Sequence, residues 1–463
     1  MSDEFDVIVI GAGPAGENVA GRCADSGLSV AVVERELVGG ECTYWGCMPS
    51  KTLVRPGDIV AAARRAPGAE EAVTGPIDAD AALAWRDYMV SNYDDSGALK
   101  WLEAKNIELV RGAGRLAGER TVDVTSSDGA TRRLLARAAV VVATGTSATV
   151  PPIDGLHDAK PWDNRAVTGA KHVPRRLLVL GGGAIGAEMA QAFFRLGCDE
   201  VTVVEALDRL LSREEPFAGE EVKAAFQAEG IDVVTGVKLV SAERDSGGSI
   251  LAMLENGHEL HSDEILVSVG RRPSTSDIGL DTVGLEPGRY IGVDDQLRAM
   301  GVAGNWLYAV GDCNGLALFT HMGKYQARIA GDVIAGKDAV DVADHGIVPR
   351  VTFTDPQVCA VGLTEAQARE AGIDVRAVTY GTGDVAGASV MGHGIKGTSK
   401  LVIDEKRRVI VGATFTGPGL QELLHSATIA IAGQVTVDRL WHAVPSFPTV
   451  SEVWLRLLEA YGL

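Results

Sequence analysis

The chain has 463 residues, 46% of them hydrophobic, and a formal net charge of −19; that length exceeds what one core supports, so about two to four domains are expected. The acidic balance argues against nucleic acid or an anionic membrane as a partner and favours small or cationic ligands. No apolar run reaches the roughly 18 residues of a membrane span, and the acidic start MSDEFD lacks the pattern of a signal peptide, so the expected compartment is the cytoplasm.

The first element is the apolar run Phe5 to Ile10, which leads directly into GAGPAG, with Gly11, Gly13 and Gly16 at GxGxxG spacing. This reads as a strand, a tight turn and a helix opening. The glycines let the backbone approach a pyrophosphate, which the N–H groups at the helix N-terminus then stabilise. A second strand, SVAVVE, ends in Glu34, where an acid accepts from a ribose hydroxyl.

The stretch Gly39 to Thr52, GGECTYWGCMPSKT, follows and sets two cysteines with four residues between them. On an ideal helix that spacing is a rise of roughly 7.5 Å, whereas a disulfide tolerates Cα separations only to about 7 Å. Cys42 and Cys47 can therefore bridge only across a distorted helical start, which Gly39, Gly40 and Pro49 permit. A strained or exposed bridge is the easily reduced kind. The competing reading is two buried thiols that serve only as core residues. The remaining cysteines, Cys23, Cys198, Cys313 and Cys359, are scattered without metal-ligand spacing, so neither a disulfide framework nor a metal site is expected.

Helices are expected over Asp58 to Arg65 and Ala81 to Asn106, joined by a Pro/Gly/Ala-rich loop around Ala66 to Pro76. IELVRGAGRL and TVDVTS alternate like antiparallel strands, and Ala138 to Gly145 reads as a buried strand ending in a loop. Pro151 and Pro152 suit a crossing between domains. The first signal then recurs: LLVLGGGAIGAEMA carries Gly181, Gly183 and Gly186 at the same spacing, and the next strand, VTVVE, ends in Glu205. Two such units imply two dinucleotides. A carboxylate at Glu205 hydrogen-bonds an unmodified adenosine ribose and repels a 2′-phosphate, which favours NADH over NADPH, with Arg209 as the opposing charge nearby. The unit closes with Glu264 to Pro273, a strand running into a turn at Gly270.

From Trp306, WLYAVGDC gives a further strand and then Gly311-Asp312, an acid positioned to meet ligand hydroxyls, with a covering helix from about His321 to Ala335. Past Gly346 the pattern changes to the alternating strands VPRVTFT, DVRAVTYG, KLVIDEK and RVIVGATFTG. Two helical stretches follow, Gln421 to Gly433 and Val450 to Tyr461, giving an α+β domain.

In this order, GxGxxG with Glu34, CxxxxC followed by Pro49-Ser50-Lys51, a second GxGxxG and the late Gly311-Asp312 resemble the class I pyridine nucleotide-disulfide oxidoreductases. Dihydrolipoamide dehydrogenase, glutathione reductase and mercuric reductase belong to that family, and the resemblance spans essentially the whole chain. It implies an α/β fold with two Rossmann-like dinucleotide-binding domains, one for FAD (residues 1-150 and 277-345, discontinuous) and one for NAD (151-276). A C-terminal α+β interface/dimerisation domain (346-463) would build a homodimer. By the same resemblance, hydride passes from NAD(P)H to one face of FAD, and the redox-active disulfide Cys42–Cys47 lies on the other. Cys47 would contact the flavin, and Cys42 would exchange with substrate. Lys51 falls where the family places a lysine near the flavin, and Glu188 where a glutamate pairs with it. Gly145 and Gly270 join the cofactor-binding glycines. Ala184 stands where some members carry a bulky residue that gates the nicotinamide pocket.

The pattern departs from the family in one place that matters. Dithiol chemistry there uses a His-Pro-Thr-x-x-Glu segment, whose glutamate orients the histidine that deprotonates the incoming thiol. This chain reads Phe447-Pro448-Thr449-Val450-Ser451-Glu452. Phenylalanine cannot take a proton, and the thiolate rather than the thiol is the nucleophile. His442 lies upstream beside Trp441 as a candidate substitute base. Tyr44 and Trp45 make the surroundings of the cysteines unusually aromatic. Mercuric reductases add a C-terminal cysteine pair, whereas this sequence ends Glu-Ala-Tyr-Gly-Leu, which disfavours mercury. The leading expectation is an FAD-dependent NAD(P)H oxidoreductase passing electrons to a small non-thiol acceptor: a quinone, a dye, oxygen or a metal ion. The alternative is a true disulfide reductase, such as dihydrolipoamide dehydrogenase, with a substitute base.

Overall fold

A computed structural model describes residues 3–463. The chain divides into two compact units, one made of Met1–Pro49, Asp87–Thr149 and Gly270–His345, the other of Ser50–Arg86, Val150–Val269 and Gly346–Leu463.

In the first unit the strand Glu4–Ile10 lies at the centre of a seven-stranded sheet. Its continuous apolar run suits a parallel strand covered on both faces. Val7 and Val9 pack with Val19 and Ala20 of the helix Pro14–Asp25, and Ile8 and Ile10 pack on the opposite side with Leu116 and Trp306. Ile107–Arg111, Val30–Glu34, Glu4–Ile10 and Thr131–Val142 run parallel in that spatial order. The long strand Thr131–Val142 pairs antiparallel with Thr121–Thr125 at its start and parallel with Leu307–Ala309 at its end.

Two expectations are corrected here. IELVR joins the sheet in parallel rather than antiparallel, because it returns through the helix Ser96–Ala104, and a helical crossover delivers a parallel strand. The expected helix over Ala81 to Asn106 is also interrupted. Ala79–Met89 ends before Ser91, Asn92 and Tyr93, which take left-handed φ values of 51, 51 and 61°, and a new helix starts at Ser96.

In the second unit Asp232–Thr235, Glu200–Glu205, Arg176–Leu180 and Glu264–Val267 form a parallel sheet with the same third-second-first-fourth order as the core of the first unit. The C-terminal segment adds a five-stranded antiparallel sheet, Arg350–Thr352, Gln357–Gly362, Val409–Gly417, Thr398–Asp404 and Val375–Gly381. Gln357–Gly362 escaped the sequence reading because every residue of it is buried and nothing alternates. The strand Thr398–Asp404 turns Lys400 onto two carboxylates, Glu215 at 2.9 Å and Glu365 at 2.7 Å. The two final helical stretches narrow to Leu424–Ala432 and Val453–Tyr461. No helix among the described residues is long and apolar enough to cross a membrane.

Candidate functional site

The first glycine turn is shaped for a close ligand. Gly11 sits at φ +100°, and a Cβ there would stand 2.5 Å from the Ala143 carbonyl oxygen, so only glycine makes the strand-to-helix turn. The helix Pro14–Asp25 opens at Gly13 with no side-chain cap, and a Cβ at Gly13 would meet nothing within 4 Å. Exposed amide donors beside open space are what a pyrophosphate requires. Gly16 lies against the Gly11 carbonyl, where no side chain fits. Glu34 closes the site: its Oε2 accepts from the Ala12 N–H and its Oε1 from the Glu36 N–H, both at 2.7 Å. The carboxylate is thereby fixed beside the turn with lone pairs left for ribose hydroxyls.

The second unit repeats this construction. Gly181 stands at φ +106°, Gly183 borders open space, and Gly186 lies against the Gly181 carbonyl. Glu205 accepts from the Gly182 N–H at 2.7 Å and the Leu207 N–H at 2.8 Å. Arg209, the opposing charge, is turned into its own loop, donating to the Ser212 carbonyl at 2.9 Å.

Asp312 belongs to the first unit, in the short 3-10 turn Gly311–Asn314. Its Oδ2 accepts from the Thr146 hydroxyl at 2.8 Å, and that hydroxyl accepts from Arg271 Nε at 2.7 Å. Burial pushes the Asp312 carboxyl up from the ordinary carboxylate range. Thr146 and Arg271 sit on a two-stranded ribbon, Thr146–Ala148 with Arg271–Pro273, flanked by Gly145 and Gly270. The Thr144 hydroxyl beside it is buried with no partner. An orphaned hydroxyl, a desolvated acid and the open cradle at Gly13 together fit FAD. Sequence reasoning missed Thr146 and Arg271, which have no local pattern.

The cysteine stretch is two helices with a break. Gly40–Tyr44 ends at Trp45, and a new helix, Cys47–Arg65, starts after Gly46. This longer helix replaces the one expected from Asp58. Pro49 does not prevent it, because a proline in the first turn forfeits no intrahelical bond. The break supplies the distortion that the spacing demanded. Cys42 is half-buried and Cys47 exposed, both as thiols. A hydrogen bond to Cys47, reinforced by burial, pushes the Cys42 thiol strongly up. Cys47 Sγ also lies 3.3 Å from the Thr320 hydroxyl. Tyr44, Trp45 and Tyr93 cluster alongside, with Trp45 ring centroids 5.6 Å from Tyr44 and 6.2 Å from Tyr93.

In the second unit Lys51 Nζ meets Glu188 Oε2 at 2.6 Å, and Glu188 Oε1 accepts from the Phe353 N–H at 3.0 Å. The ammonium stands 4.9 Å from the centre of the Phe353 ring, a cation–π contact the sequence did not announce. Glu452 is buried, accepting from Arg456 at 2.7 Å and from the Ala386 N–H at 3.3 Å. Phe447 is 77% exposed, and His442 is exposed too.

Comparison with known proteins agrees with this geometry. The pyridine nucleotide-disulphide oxidoreductase model matches residues 5–331, and the dimerisation domain of the same family matches residues 348–457. A mercuric reductase of Staphylococcus aureus is 29% identical, over 97% of this chain and 81% of its own length. A dihydrolipoyl dehydrogenase of Mycobacterium tuberculosis is 32% identical, over 97% of this chain and 96% of its own. Among solved structures, the HOCl-induced flavoprotein disulfide reductase RclA of Escherichia coli, as its Cu(II) complex, superposes with a TM-score of 0.86 at 25% identity, covering 99% of both chains. With both domain models matched, two dinucleotide turns and a close cysteine pair, the chain belongs to the class I pyridine nucleotide-disulfide oxidoreductases, FAD-dependent enzymes that use NAD(P)H.

Proposed function

We propose that this flavoenzyme oxidises NADH, carries electrons through Cys42 and Cys47, and delivers them to a small non-thiol acceptor: a quinone, a dye, oxygen or a metal ion. The observation that carries the reading is Phe447, 77% exposed where a disulfide-reducing member holds a histidine, with the orienting Glu452 still in place. A benzyl side chain neither takes nor returns a proton, and exchange with a disulfide requires both.

Bound FAD supplies the redox centre between nicotinamide and thiols. Residues 1-150 and 277-345 hold it through Gly11, Gly13, Gly16, Glu34, Gly145, Gly270 and Asp312. Residues 151-276 hold the nucleotide through Gly181, Gly183, Gly186 and Glu205, whose charge excludes a 2′-phosphate while Arg209 is engaged elsewhere. Lys51 contributes a fixed positive charge, oriented by Glu188 and Phe353. The bond to Cys47 and burial hold the Cys42 thiol well above its usual range.

Residues 346-463 form the interface of a homodimer. The dimerisation-domain match supports this, as do exposed apolar side chains on the same segment: Ile429, Trp441, Val444 and Phe447. The reading sets the enzyme in the cytoplasm, in keeping with four buried cysteines kept as thiols.

A second reading, a disulfide reductase with His442 as substitute base, is favoured by the exposure of that imidazole and by the dihydrolipoyl dehydrogenases among the relatives. The test is an anaerobic NADH titration followed by reoxidation with a quinone, a dye, oxygen, Cu(II), lipoamide and glutathione disulfide. Faster turnover with either disulfide than with the other acceptors overturns the first reading in favour of the second.

A further inference from the structure

In the second unit, residues 353–355 are bonded to one face of the helix Ala184–Arg195. Glu188 Oε1 accepts from the Phe353 N–H at 3.0 Å. Gln191, on the next turn of that face, takes both backbone groups of Asp355: its Oε1 accepts from the N–H at 2.7 Å, and its Nε2 donates to the carbonyl at 3.0 Å. Gln191 is buried, and a donor and an acceptor on one residue fix its amide in a single orientation.

Arg195, one turn further along, donates to Asp355 Oδ2 at 2.9 Å and to the two oxygens of Glu229 at 2.9 and 2.6 Å. Arg65, at the end of the helix Cys47–Arg65, donates to the same Oδ2. Asp355 is 5% exposed. One buried carboxylate thus joins guanidiniums from two helices, and charge-assisted bonds of this kind are the strong ones.

Lys51 and Arg65 are separated by about 21 Å of rise on their helix and lie within about 40° of one face. Between them stands Gly57, where a Cβ would come within 2.7 Å of Arg195 Cδ, so the two helices approach more closely there than a side chain allows. They are fastened on either side of that approach. Lys51 meets Glu188 at 2.6 Å, and Arg65 meets Arg195 through Asp355. Phe353 takes part in both fastenings: its N–H holds Glu188, its ring centre stands 4.9 Å from Lys51 Nζ, and only Thr354 separates it from Asp355.

We propose that Asp355 is a positioning residue for Lys51: bonded to Gln191, Arg195 and Arg65, it holds the Phe353 ring and the Glu188 carboxylate against the ammonium and so sets where that charge stands. Asp355 touches no reacting atom. The inference rests on the reading of Lys51 as the fixed charge that serves the flavin. A lysine ammonium rides on a flexible four-carbon stem, so its place is only as definite as the partners that hold it. Without Asp355, two guanidiniums lose the anion they share, residues 353–355 loosen from the helix, and the ring leaves the ammonium.

The experiment compares Asp355→Ala, Lys51→Met and the double variant with the wild type, all loaded with FAD. Three quantities are measured: the single-turnover rate of flavin reduction by NADH, the reduction potential of the bound flavin, and the urea unfolding constant. Asp355→Ala should slow flavin reduction by about tenfold or more, within the 10²-fold or so that a misplacement of about 1 Å costs. It should also lower the flavin potential, in the same direction as Lys51→Met, because a positive charge favours the reduced flavin. With Lys51 gone no charge is left to place, so the double variant should be no more than about twofold slower than Lys51→Met alone. The effects of the two single variants on the unfolding constant should likewise fail to multiply, by about threefold or more. Gln191→Leu releases both backbone groups of Asp355 and leaves its carboxylate. It carries the same test should Asp355→Ala fold poorly.

Rate losses that multiply in the double variant overturn the proposal. So does an Asp355→Ala enzyme that is only less stable, with its rate and flavin potential at wild-type values, since that marks a structural contact and nothing more. If Lys51→Met itself leaves rate and potential unchanged, the reading of Lys51 has failed, and the unfolding constants then decide the anchoring alone: effects that multiply overturn it, and effects that do not multiply sustain it.

Discussion

Lys51 Nζ lies 2.6 Å from Glu188 Oε2, on a carboxylate whose side chain is 3% exposed and whose other oxygen accepts from the Phe353 N–H. Lys51→Met would strand that buried charge. We expect a loss of about 1–3 kcal/mol in urea unfolding, the scale of a buried polar group deprived of its partner. Flavin reduction by NADH should slow by about 10²-fold, as when a preorganised charge is removed. Unchanged values on both counts would mark the pair as an idle contact.

The thiol pair makes its own forecast. Because the Cys42 thiol is held well up and Cys47 is read as the sulfur that contacts the flavin, the reduced enzyme should show a long-wavelength thiolate–flavin absorption. Cys47→Ser should remove the band and Cys42→Ser should retain it. A wild type whose two thiols stay open to alkylation at every stage of an NADH titration would show that the pair never forms a disulfide.

Cofactor choice can be read from rates. Glu205 would have to desolvate against a 2′-phosphate at a cost of about 1–3 kcal/mol, so NADH should exceed NADPH in kcat/KM by about tenfold or more. Glu205→Gln should narrow that ratio. It should also weaken the turn slightly, since one of the two amides at Gly182 and Leu207 would then face an NH2 group. Equal rates in the wild type would mean that Arg209 swings out of its loop to meet the phosphate.

Phe447→His restores a base five positions before Glu452. Proton transfer by a positioned side chain contributes about 10²- to 10⁴-fold, so turnover with lipoamide or glutathione disulfide should rise towards that range, while quinone turnover should stay level. If the wild type already reduces a small disulfide as fast as a quinone, His442→Gln becomes the variant to measure.

Both glycine turns were legible in the sequence because a strand that turns directly into a helix needs glycines at fixed offsets, and the acid at the end of the next strand is the acceptor that each turn's amides meet. Glu34 and Glu205 stand there with matching pairs of backbone donors. The distortion between Cys42 and Cys47 was legible for the same kind of reason, since ideal helix geometry forbids the bridge. Contacts between residues far apart in the chain left no such trace. Thr320 beside Cys47, Phe353 beside Lys51 and Gln326 behind Gly311 each depend on where another segment returns. Gln357–Gly362 was missed because a strand buried on both sides has no period to detect.

Lys400, with its side chain 10% exposed, answers Glu215 from one segment and Glu365 from another. Such a buried trio is costly to break at one member only. Recombination between relatives near Gly346 would therefore succeed only where donor and recipient agree at positions 215 and 400. A segment grafted in after Gly346 without a cation at position 400 would leave the buried Glu215 carboxylate without its ammonium partner.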